Sequence, residues 1–274
     1  MLLLLAVLAE GWLICGVRIN SDPPIVREYT VESGKIDRSV TIVMLSDLHG
    51  CDHPTLADQV ADIDPDLILL CGDMINHQHE TGEDILVTAV LVGELTKIAP
   101  IYYSYGNHEL ERIGTHDRRA IDPIIEAGAI LLEREYEDLT VNGNAIRLGG
   151  LYTPITPETS KPIESSSSSF FTDFTATEAF TILMEHRPAA VTDKIIHWGY
   201  EPDLVLSGHL HGGHVILPFF GPVYGANAGW FPKYALGEYK FDKTTLIVSA
   251  GLSTERHIIP RINNPTEITK IILE

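Results

Sequence analysis

The sequence predicts an α/β protein in which two β-sheets pack face to face and helices cover their outer faces. In the first half, short apolar runs alternate with segments of helical periodicity, which is typical of parallel strands buried on both sides. In the second half, closely spaced short strands and hairpin turns favour a second, more antiparallel sheet. A chain of 274 residues is long enough for one catalytic domain of this kind.

The first half supplies three predicted strands, each followed by a helix. The strands are residues 40–45, 66–71 and 101–105, and their side chains are almost all apolar. The helices are residues 54–63, 83–98 and 118–127, and Pro54 suits the first turn of the first helix. Because strands and helices alternate, we expect neighbouring strands to run parallel.

The second half supplies more strands and fewer helices. Asn142-Gly143-Asn144 is a strong hairpin signal, and Asp242-Lys243 predicts another turn. Residues 189–200 are predicted to be helical. Residues 156–173, with a serine run from Ser165 to Ser169, are predicted to be a loop or flexible insertion within the domain. The predicted strands are residues 129–132, 136–141, 145–148, 180–184, 204–206, 215–217, 236–241, 245–249 and 268–273.

Residues 1–24 form an apolar N-terminal segment and linker, and residues 25–274 are predicted to be the catalytic domain. Residues 2–19 lack a basic start and a cleavage site, so they make a poor signal peptide. Two alternatives remain: membrane association, or a helix packed on a soluble cytoplasmic protein. Glu10 and the short length weaken a spanning helix. If the segment does span, Arg18 and Arg27 would leave the catalytic domain in the cytoplasm.

The composition argues against polyanionic partners. The chain has 38 Asp and Glu against 19 Lys and Arg, a formal net charge of -19. Such a chain repels nucleic acid and anionic bilayers, so any membrane contact should be apolar. The three cysteines, Cys15, Cys51 and Cys71, have no zinc-finger or redox-motif spacing, and a disulfide framework is not expected.

Seven candidate metal ligands follow the ends of five predicted strands. The carboxyl ends of parallel strands meet at one edge of a sheet, where ligands bind in α/β proteins. Carboxylate, amide and imidazole groups together suit Mn, Fe, Zn or Co, and an aspartate has two oxygens with which to bridge two cations. The candidates are Asp47, His49, Asp73, Asn107, His186, His209 and His211.

This series of motifs resembles that of the calcineurin-like metallophosphoesterase superfamily. The motifs are Asp47-Leu48-His49, Gly72-Asp73, Gly106-Asn107-His108-Glu109, His186 and Gly208-His209-Leu210-His211. Residues 212–218, 249–252 and 260–261 resemble the bacterial YkuE/YaeI-like branch. The resemblance implies a two-sheet αββα sandwich with two divalent metal ions at one edge.

The resemblance also implies roles for individual residues. Asp47, His49, Asp73 and His211 would hold one metal ion, and Asp73, Asn107, His186 and His209 the other. His108 would be catalytic, protonating the leaving group or stabilising the transition state. A hydroxide bridging the two metals would then attack phosphorus in a phosphodiester, pyrophosphate or monoester.

Substrate identity depends on weaker features. His214, which stands where relatives usually carry Gln, is a candidate substrate contact. Residues 217–234 are dense in aromatics, and form either a loop covering the core or an apolar wall for a lipid-linked phosphate. Some relatives act on lipid precursors such as UDP-2,3-diacylglucosamine, which favours the second interpretation. The alternatives to an enzyme of this kind are a non-catalytic metal-binding or protein-interaction module on the same fold, and a nuclease of the superfamily.

Overall fold

The computed structural model describes residues 23–76, 81–115, 119–152, 165–225, 228–254 and 259–274, without the side chains of residues 115, 165–168, 193 and 194. The apolar segment 2–19 therefore lies outside the described residues. The helices are α1 Leu56–Ile63, α2 Glu83–Leu95, α3 Asn107–Thr115, α4 Asp122–Glu126, α5 Ser165–Thr175 and the short α6 Pro188–Ala190, which continues into a π-helix at Val191–Ile196. The strands are β1 Ile25–Val31, β2 Val40–Leu45, β3 Leu67–Cys71, β4 Ile101–Ser104, β5 Ile130–Leu131, β6 Glu135–Val141, β7 Asn144–Leu151, β8 Phe180–Glu185, β9 Leu204–Ser207, β10 Ile216–Leu217, β11 Gly221–Pro222, β12 Tyr224–Gly225, β13 Gly229–Trp230, β14 Gly237–Phe241, β15 Thr244–Val248 and β16 Glu267–Leu273.

Two six-stranded sheets form the centre of the protein, as the sequence predicts. The first has the strand order β1-β16-β2-β3-β4-β5, and the second has the order β14-β15-β9-β8-β7-β6. Strands β2, β3 and β4 are parallel in the first sheet, and β7, β8 and β9 are parallel in the second. The α/β class and the two-sheet sandwich are therefore confirmed.

Side chains along each strand point alternately to the two faces of the sheet, and this alternation separates the buried layers of the protein. In β2, Ile42 and Met44 pack between the two sheets, where they belong to one buried cluster with Ile182 of the second sheet. Val43 and Leu45 point to the other face and join a cluster that includes residues of α1, α2 and α4. A strand buried on both faces is apolar at every position, which explains why the first-half strands were evident in the sequence.

The second sheet differs from the prediction of a more antiparallel sheet. Three of its five strand pairings, β7 with β8, β8 with β9 and β9 with β15, are parallel. Only the edge hairpins β6–β7 and β14–β15 are antiparallel. The Asn142-Gly143 turn of the first hairpin is as predicted, with positive φ at both residues. Parallel neighbours need crossover connections, and a helix precedes both β8 and β9.

One of those helices corrects the prediction that residues 156–173 are a loop. Residues 165–175 form α5, whereas residues 153–164 lie outside the described residues. Phe170, Phe171 and Phe174 recur at helical spacing and are buried against Leu183 of β8. Burial of three phenylalanines outweighs the modest helix propensity of a serine run, because packing decides most helices in proteins.

No helix in the described part of the chain combines the length and apolar character that crossing a membrane requires.

Strand β1 was not predicted, because four of its seven residues are polar or charged. It pairs parallel to β16, which in turn runs antiparallel to β2. The start of β1 therefore lies at the same end of the sheet as the carboxyl ends of β2 and β3.

Candidate metal centre

The predicted ligands converge at the carboxyl edge of the two sheets. Asp47 follows β2, Asp73 follows β3, His186 follows β8 and His209 follows β9. Asn107 is the first residue of α3, which follows β4. Both sheets end at this edge, so residues far apart in sequence meet where the sandwich opens.

Three overlapping groups of side chains have the spacing that a metal ion requires. Within each group the ligand atoms lie within 4.8 Å of one another, and every member except His108 is buried. One pair of groups shares His49 and another pair shares Asp73, so the three groups form one continuous cluster. They are Asp47 with His49 and His211, His49 with Asp73 and His108, and Asp73 with His186 and His209.

The backbone at this cluster is held in an uncommon conformation. Five of the seven predicted ligands have positive φ angles, which are uncommon for residues other than glycine. Such residues cost of order 1–3 kcal/mol each and persist where the surrounding structure enforces them, often at functional sites. The φ values are 50° for Asp47, 52° for His49, 52° for Asp73, 72° for His209 and 47° for His211.

Two glycines allow the strand ends to approach closely. A Cβ at Gly106 would overlap the backbone and carboxylate of Asp73, and a Cβ at Gly208 would overlap the carboxylate of Asp47. Each glycine therefore gives space to an aspartate from another strand, and a larger residue would displace it.

Charge around Asp73 and His186 is tightly paired. Burial alone would raise the pKa of Asp73, but His186, whose Nε2 lies 3.0 Å from Asp73 Oδ2, outweighs burial and holds that pKa well below its usual value. Burial lowers the pKa of His186, yet Asp73 and Asp47 together raise it to about 10. Without a bound cation the pair carries opposite charges at neutral pH, and metal binding would release the proton from His186 Nε2.

Asp47 and His209 are shifted mainly by burial. Burial and the nearby Asp73 raise the pKa of Asp47 to about 6, although His186 opposes the shift. Burial and the positive charge of His186 lower the pKa of His209 to about 3, so its imidazole is neutral and able to bind a metal. The Asp47 carboxylate also accepts hydrogen bonds from Ser46 Oγ at 2.7 Å and from the His209 N–H at 3.0 Å.

The donor set fits divalent cations. His186 Nδ1 lies 2.8 Å from the Cys71 carbonyl, and donation there leaves Nε2 directed at the carboxylates. The Asn107 side-chain oxygen is buried and has no hydrogen-bond partner in the described residues, which a metal ion would supply. Imidazole nitrogens with carboxylate and amide oxygens are ligands typical of Mn, Fe, Zn or Co.

His108 lies at the open side of the cluster. Its backbone N–H donates to Asp73 Oδ1 at 2.8 Å, its Nε2 is 3.9 Å from Asp73 Oδ2, and its ring packs edge-on against His49 with centroids 4.4 Å apart. The side chain is 16% exposed, whereas that of Asp73 is 2% exposed. His108 can therefore reach both the cluster and a molecule that approaches from solvent.

Glu109 positions the cluster, a role that the sequence analysis did not assign. Its buried carboxylate accepts backbone hydrogen bonds from Asp73 at 2.9 Å, Met74 at 2.7 Å and Gly106 at 2.7 Å. It thereby ties the loop after β3 to the loop after β4. Burial, together with the charge of Asp73, raises the pKa of Glu109.

We expect Glu109→Gln to destabilise the protein by about 3 kcal/mol and to lower Tm by roughly 5–10 °C, because an amide NH₂ would face backbone N–H groups that need an acceptor. Urea and thermal unfolding would measure the loss. Glu126→Gln, at an exposed position of α4, is the matched control and should change neither quantity. Equal stability of the two variants would contradict the role of Glu109.

Arg261 and Asn264 support the opposite side of the cluster and were also missed as site residues. The buried Arg261 donates from Nη2 to the Ala250 carbonyl at 2.7 Å, and Nη2 lies 3.4 Å from His211 Nδ1. Asn264 donates to the His211 carbonyl at 2.7 Å. Burial lowers the pKa of Arg261 to about 10, so it remains a cation at neutral pH. Only contacts distant in sequence could identify this support.

His214, the predicted substrate contact, is buried beside the cluster. Its ring stacks on that of His211 with centroids 5.4 Å apart, and the Tyr224 ring lies 6.2 Å away on its other side. Six histidines are not assigned to the site, and two of them lie among the described residues: His53 Nε2 lies 2.8 Å from the Leu252 carbonyl, and the His197 ring packs against Trp198. His77, His79, His116 and His257 lie outside the described residues.

Comparison with known proteins agrees with this arrangement. The sequence profile of a family described as calcineurin-like phosphoesterase matches residues 40–213, which contain all seven predicted ligands. The chain belongs to the calcineurin-like phosphoesterase family. The match spans β2 to the end of the His211 motif, so the family region includes strands β2 to β9 and the whole cluster.

Two curated relatives of this calcineurin-like phosphoesterase come from bacteria. An uncharacterised metallophosphoesterase of Bacillus subtilis, YkuE, is 29% identical over 90% of this chain and 84% of its own length, which places the chain in the YkuE-like branch. A Helicobacter pylori metallophosphoesterase is 27% identical over 83% of this chain, but only 58% of its own length is covered. The solved NAD nucleotidase of Haemophilus influenzae has a similar fold, with a TM-score of 0.51 and 14% identity over 79% of this chain and 46% of that chain.

Proposed function

We propose that the protein is a dinuclear metal-dependent phosphoesterase that hydrolyses phosphodiesters, pyrophosphates or monoesters. The observation that carries the proposal is the continuous cluster of three metal-spaced groups, which is buried except for His108 and is linked through His49 and Asp73. Membership of the calcineurin-like phosphoesterase family supports the same reaction class. One edge of the sandwich thus offers donor atoms for two cations side by side.

Each ligand has a proposed place. Asp47, His49, Asp73 and His211 would hold one divalent ion, and Asp73, Asn107, His186 and His209 would hold the other. The first and third metal-spaced groups support this division, and Asn107 is assigned by its unpartnered buried oxygen. Bound divalent ions would supply Lewis acidity at phosphorus and lower the pKa of water.

The chain's own residues complete the reaction. His108 projects from the first turn of α3 towards the open side, where its imidazole can donate a proton to the leaving oxygen. Glu109, one residue later, keeps the two ligand loops in register. His214 would contact the substrate beside the His211 ligand. Mn, Fe, Zn and Co all suit the donor set, and availability would select among them.

A lipid-linked substrate is a finer proposal that the aromatic segment and the apolar N-terminal sequence favour. Nuclease activity is disfavoured by the net charge of -19. A non-catalytic module is disfavoured because all seven predicted ligands and His108 are retained.

Metal content and hydrolysis measured together test the proposal. Purified protein should contain about two divalent ions per chain, and should hydrolyse bis(p-nitrophenyl) phosphate when Mn²⁺ is added. A panel of monoester, nucleotide-sugar, lipid-phosphate and nucleic-acid substrates would then define the preference. Protein with two bound ions that hydrolyses no member of the panel would favour the non-catalytic module.

Chelation should destabilise the protein. Ions bound only to the folded state at about 100 times their dissociation constant add roughly 3 kcal/mol, so we expect their removal to lower Tm by roughly 5–10 °C. Differential scanning calorimetry with and without EDTA would measure the shift. In an Asp73→Asn variant, which lacks the shared ligand, EDTA should have little effect. An identical shift in the variant would place the stabilising ion elsewhere.

A further inference from the structure

Six large apolar side chains are much more exposed than the others. Each is at least 61% exposed, whereas the other five exposed large apolar side chains among the described residues are at most 46% exposed. Exposed apolar side chains grouped around one site commonly mark a surface that binds a partner. We call these six residues the apolar rim: Leu86, Val90, Phe219, Phe220, Trp230 and Phe231.

One half of the apolar rim lies on α2. Leu86 and Val90 are one turn apart, and they line a groove of about 420 Å³ whose other wall is residues 51–54. That wall follows the His49 ligand directly in sequence. Thr88 Oγ1 donates to the Met74 carbonyl at 3.0 Å, which holds α2 against the loop that carries Asp73. This half therefore borders the segment that follows the His49 ligand.

The other half of the apolar rim lies on two short hairpins after His211. Phe219 and Phe220 occupy the tip of the β10–β11 hairpin, and Trp230 ends the β12–β13 hairpin. The Trp230 ring lies 5.4 Å from that of Tyr224, which in turn faces His214 beside the cluster. A series of aromatic rings thus leads from the metal centre to the exposed hairpins, so this half of the apolar rim lies beside the centre.

The chain also enters the fold at this edge. Ile25 begins β1 at the sheet end where the metal centre lies, because β1 is parallel to β16 and antiparallel in direction to β2. The Pro24 carbonyl accepts a hydrogen bond from Gln59 of α1 at 2.8 Å, which fixes the entry point. Residues 2–19 precede this entry point in the sequence, and Glu10 and Arg18 are their only charged side chains.

We propose that the face carrying the metal centre docks on a zwitterionic lipid bilayer, with the apolar rim inserted at the interface. Trp and Phe side chains are favoured at the boundary between headgroups and acyl chains. The net charge of -19 disfavours an anionic surface, which leaves apolar insertion into neutral lipid as the favourable contact. The proposal concerns where the protein works, and so goes beyond hydrolysis of a phosphate ester.

Fluorescence of single-tryptophan variants of the full chain tests this contact. Trp12→Phe with Trp198→Phe leaves Trp230 as the emitter, and Trp12→Phe with Trp230→Phe leaves Trp198 as the matched control. Trp198 precedes β9, at the opposite end of that strand from His209. With phosphatidylcholine vesicles whose acyl chains are brominated, we expect a roughly twofold loss of Trp230 emission and little loss of Trp198 emission, because only inserted rings approach the quencher.

A second pair of variants separates the apolar rim from residues 2–19. In the Trp230 background, Phe219→Ser with Phe220→Ser should reduce quenching, whereas Ile130→Ser with Tyr136→Ser, at exposed positions outside the apolar rim, should not. Matching Tm values would establish that all variants are folded. Vesicle-bound protein with unquenched Trp230, or protein that does not bind vesicles, overturns the proposal. Emission that depends on protein concentration but not on lipid would instead assign the apolar rim to contact between two copies. Hydrolysis of a soluble diester reports separately on the phosphoesterase.

Discussion

Asp73→Asn should abolish hydrolysis and remove bound metal. Asp73 lies in one metal-spaced group with His186 and His209, and in another with His49. We assign it to both proposed ion sites as their shared ligand, so its loss should affect both sites at once. Metal catalysis supplies several kcal/mol, and each 1.4 kcal/mol is a factor of ten, so we expect kcat/KM to fall by about 10³-fold or more. The substitution keeps the shape of the side chain but replaces a charged oxygen with an amide.

The measurement pairs metal analysis with kinetics. Inductively coupled plasma mass spectrometry should find fewer than two ions per Asp73→Asn chain, and bis(p-nitrophenyl) phosphate hydrolysis should fall with it. Asp138→Asn is the matched control, since Asp138 lies on the exposed strand β6 in an ion pair with Arg147 at 2.6 Å. That change should lower the stability of the protein only slightly, because an exposed ion pair contributes about 0–1 kcal/mol to the free energy of unfolding. Full activity of Asp73→Asn would contradict the proposed mechanism.

The position of the candidate site was predictable because two separate regularities coincide in the sequence. Apolar runs locate the strands that are buried on both faces, and each polar motif comes directly after such a run. The edge of a parallel sheet brings those motifs together, so the groups around Asp47, Asp73 and His186 follow from order along the chain. Strands β2, β3 and β4 and helices α1 and α2 were predictable for the same reason.

The second sheet was harder to predict because its direction depends on connections rather than on strands. Because residues 156–173 were predicted to be a loop, the helix that connects β7 to β8 was missed. Short strands with hairpins then indicated antiparallel pairing. The decisive feature is the burial of Phe170, Phe171 and Phe174 against the sheet. The three phenylalanines are spaced in the sequence as on one face of a helix, but the serine run next to them has no strong helix propensity.

The supporting residues of the centre could not be assigned from local pattern. Glu109 accepts N–H groups from Gly106, three residues away, and from Met74, 35 residues away. Arg261 reaches His211 from 50 residues away. The positive φ angles of the ligands likewise could not be assigned from local pattern, because positive φ is uncommon for residues other than glycine. The sequence motifs therefore identify the ligands, whereas tertiary contacts in the fold determine the geometry of the ligands.

His108→Gln should lower kcat by about 10²–10⁴-fold on substrates with a poor leaving group, the range expected for loss of general acid catalysis. His108 is separate from the two metal-spaced groups that we assign to the ions, although its backbone N–H contacts Asp73. Metal content should therefore stay near that of the unchanged protein. His197→Gln, at an exposed position away from the cluster, is the matched control.

The leaving group distinguishes the two roles open to His108. An alkoxide departs only with a proton, whereas p-nitrophenolate departs without one. If His108 donates that proton, the loss of kcat should be large for an alkyl phosphodiester and small for bis(p-nitrophenyl) phosphate. If its imidazole instead stabilises charge on the phosphoryl oxygens, both substrates should lose activity by a similar factor. Loss of bound metal in the variant would contradict both roles and make His108 a ligand, as its place in the group with His49 and Asp73 permits.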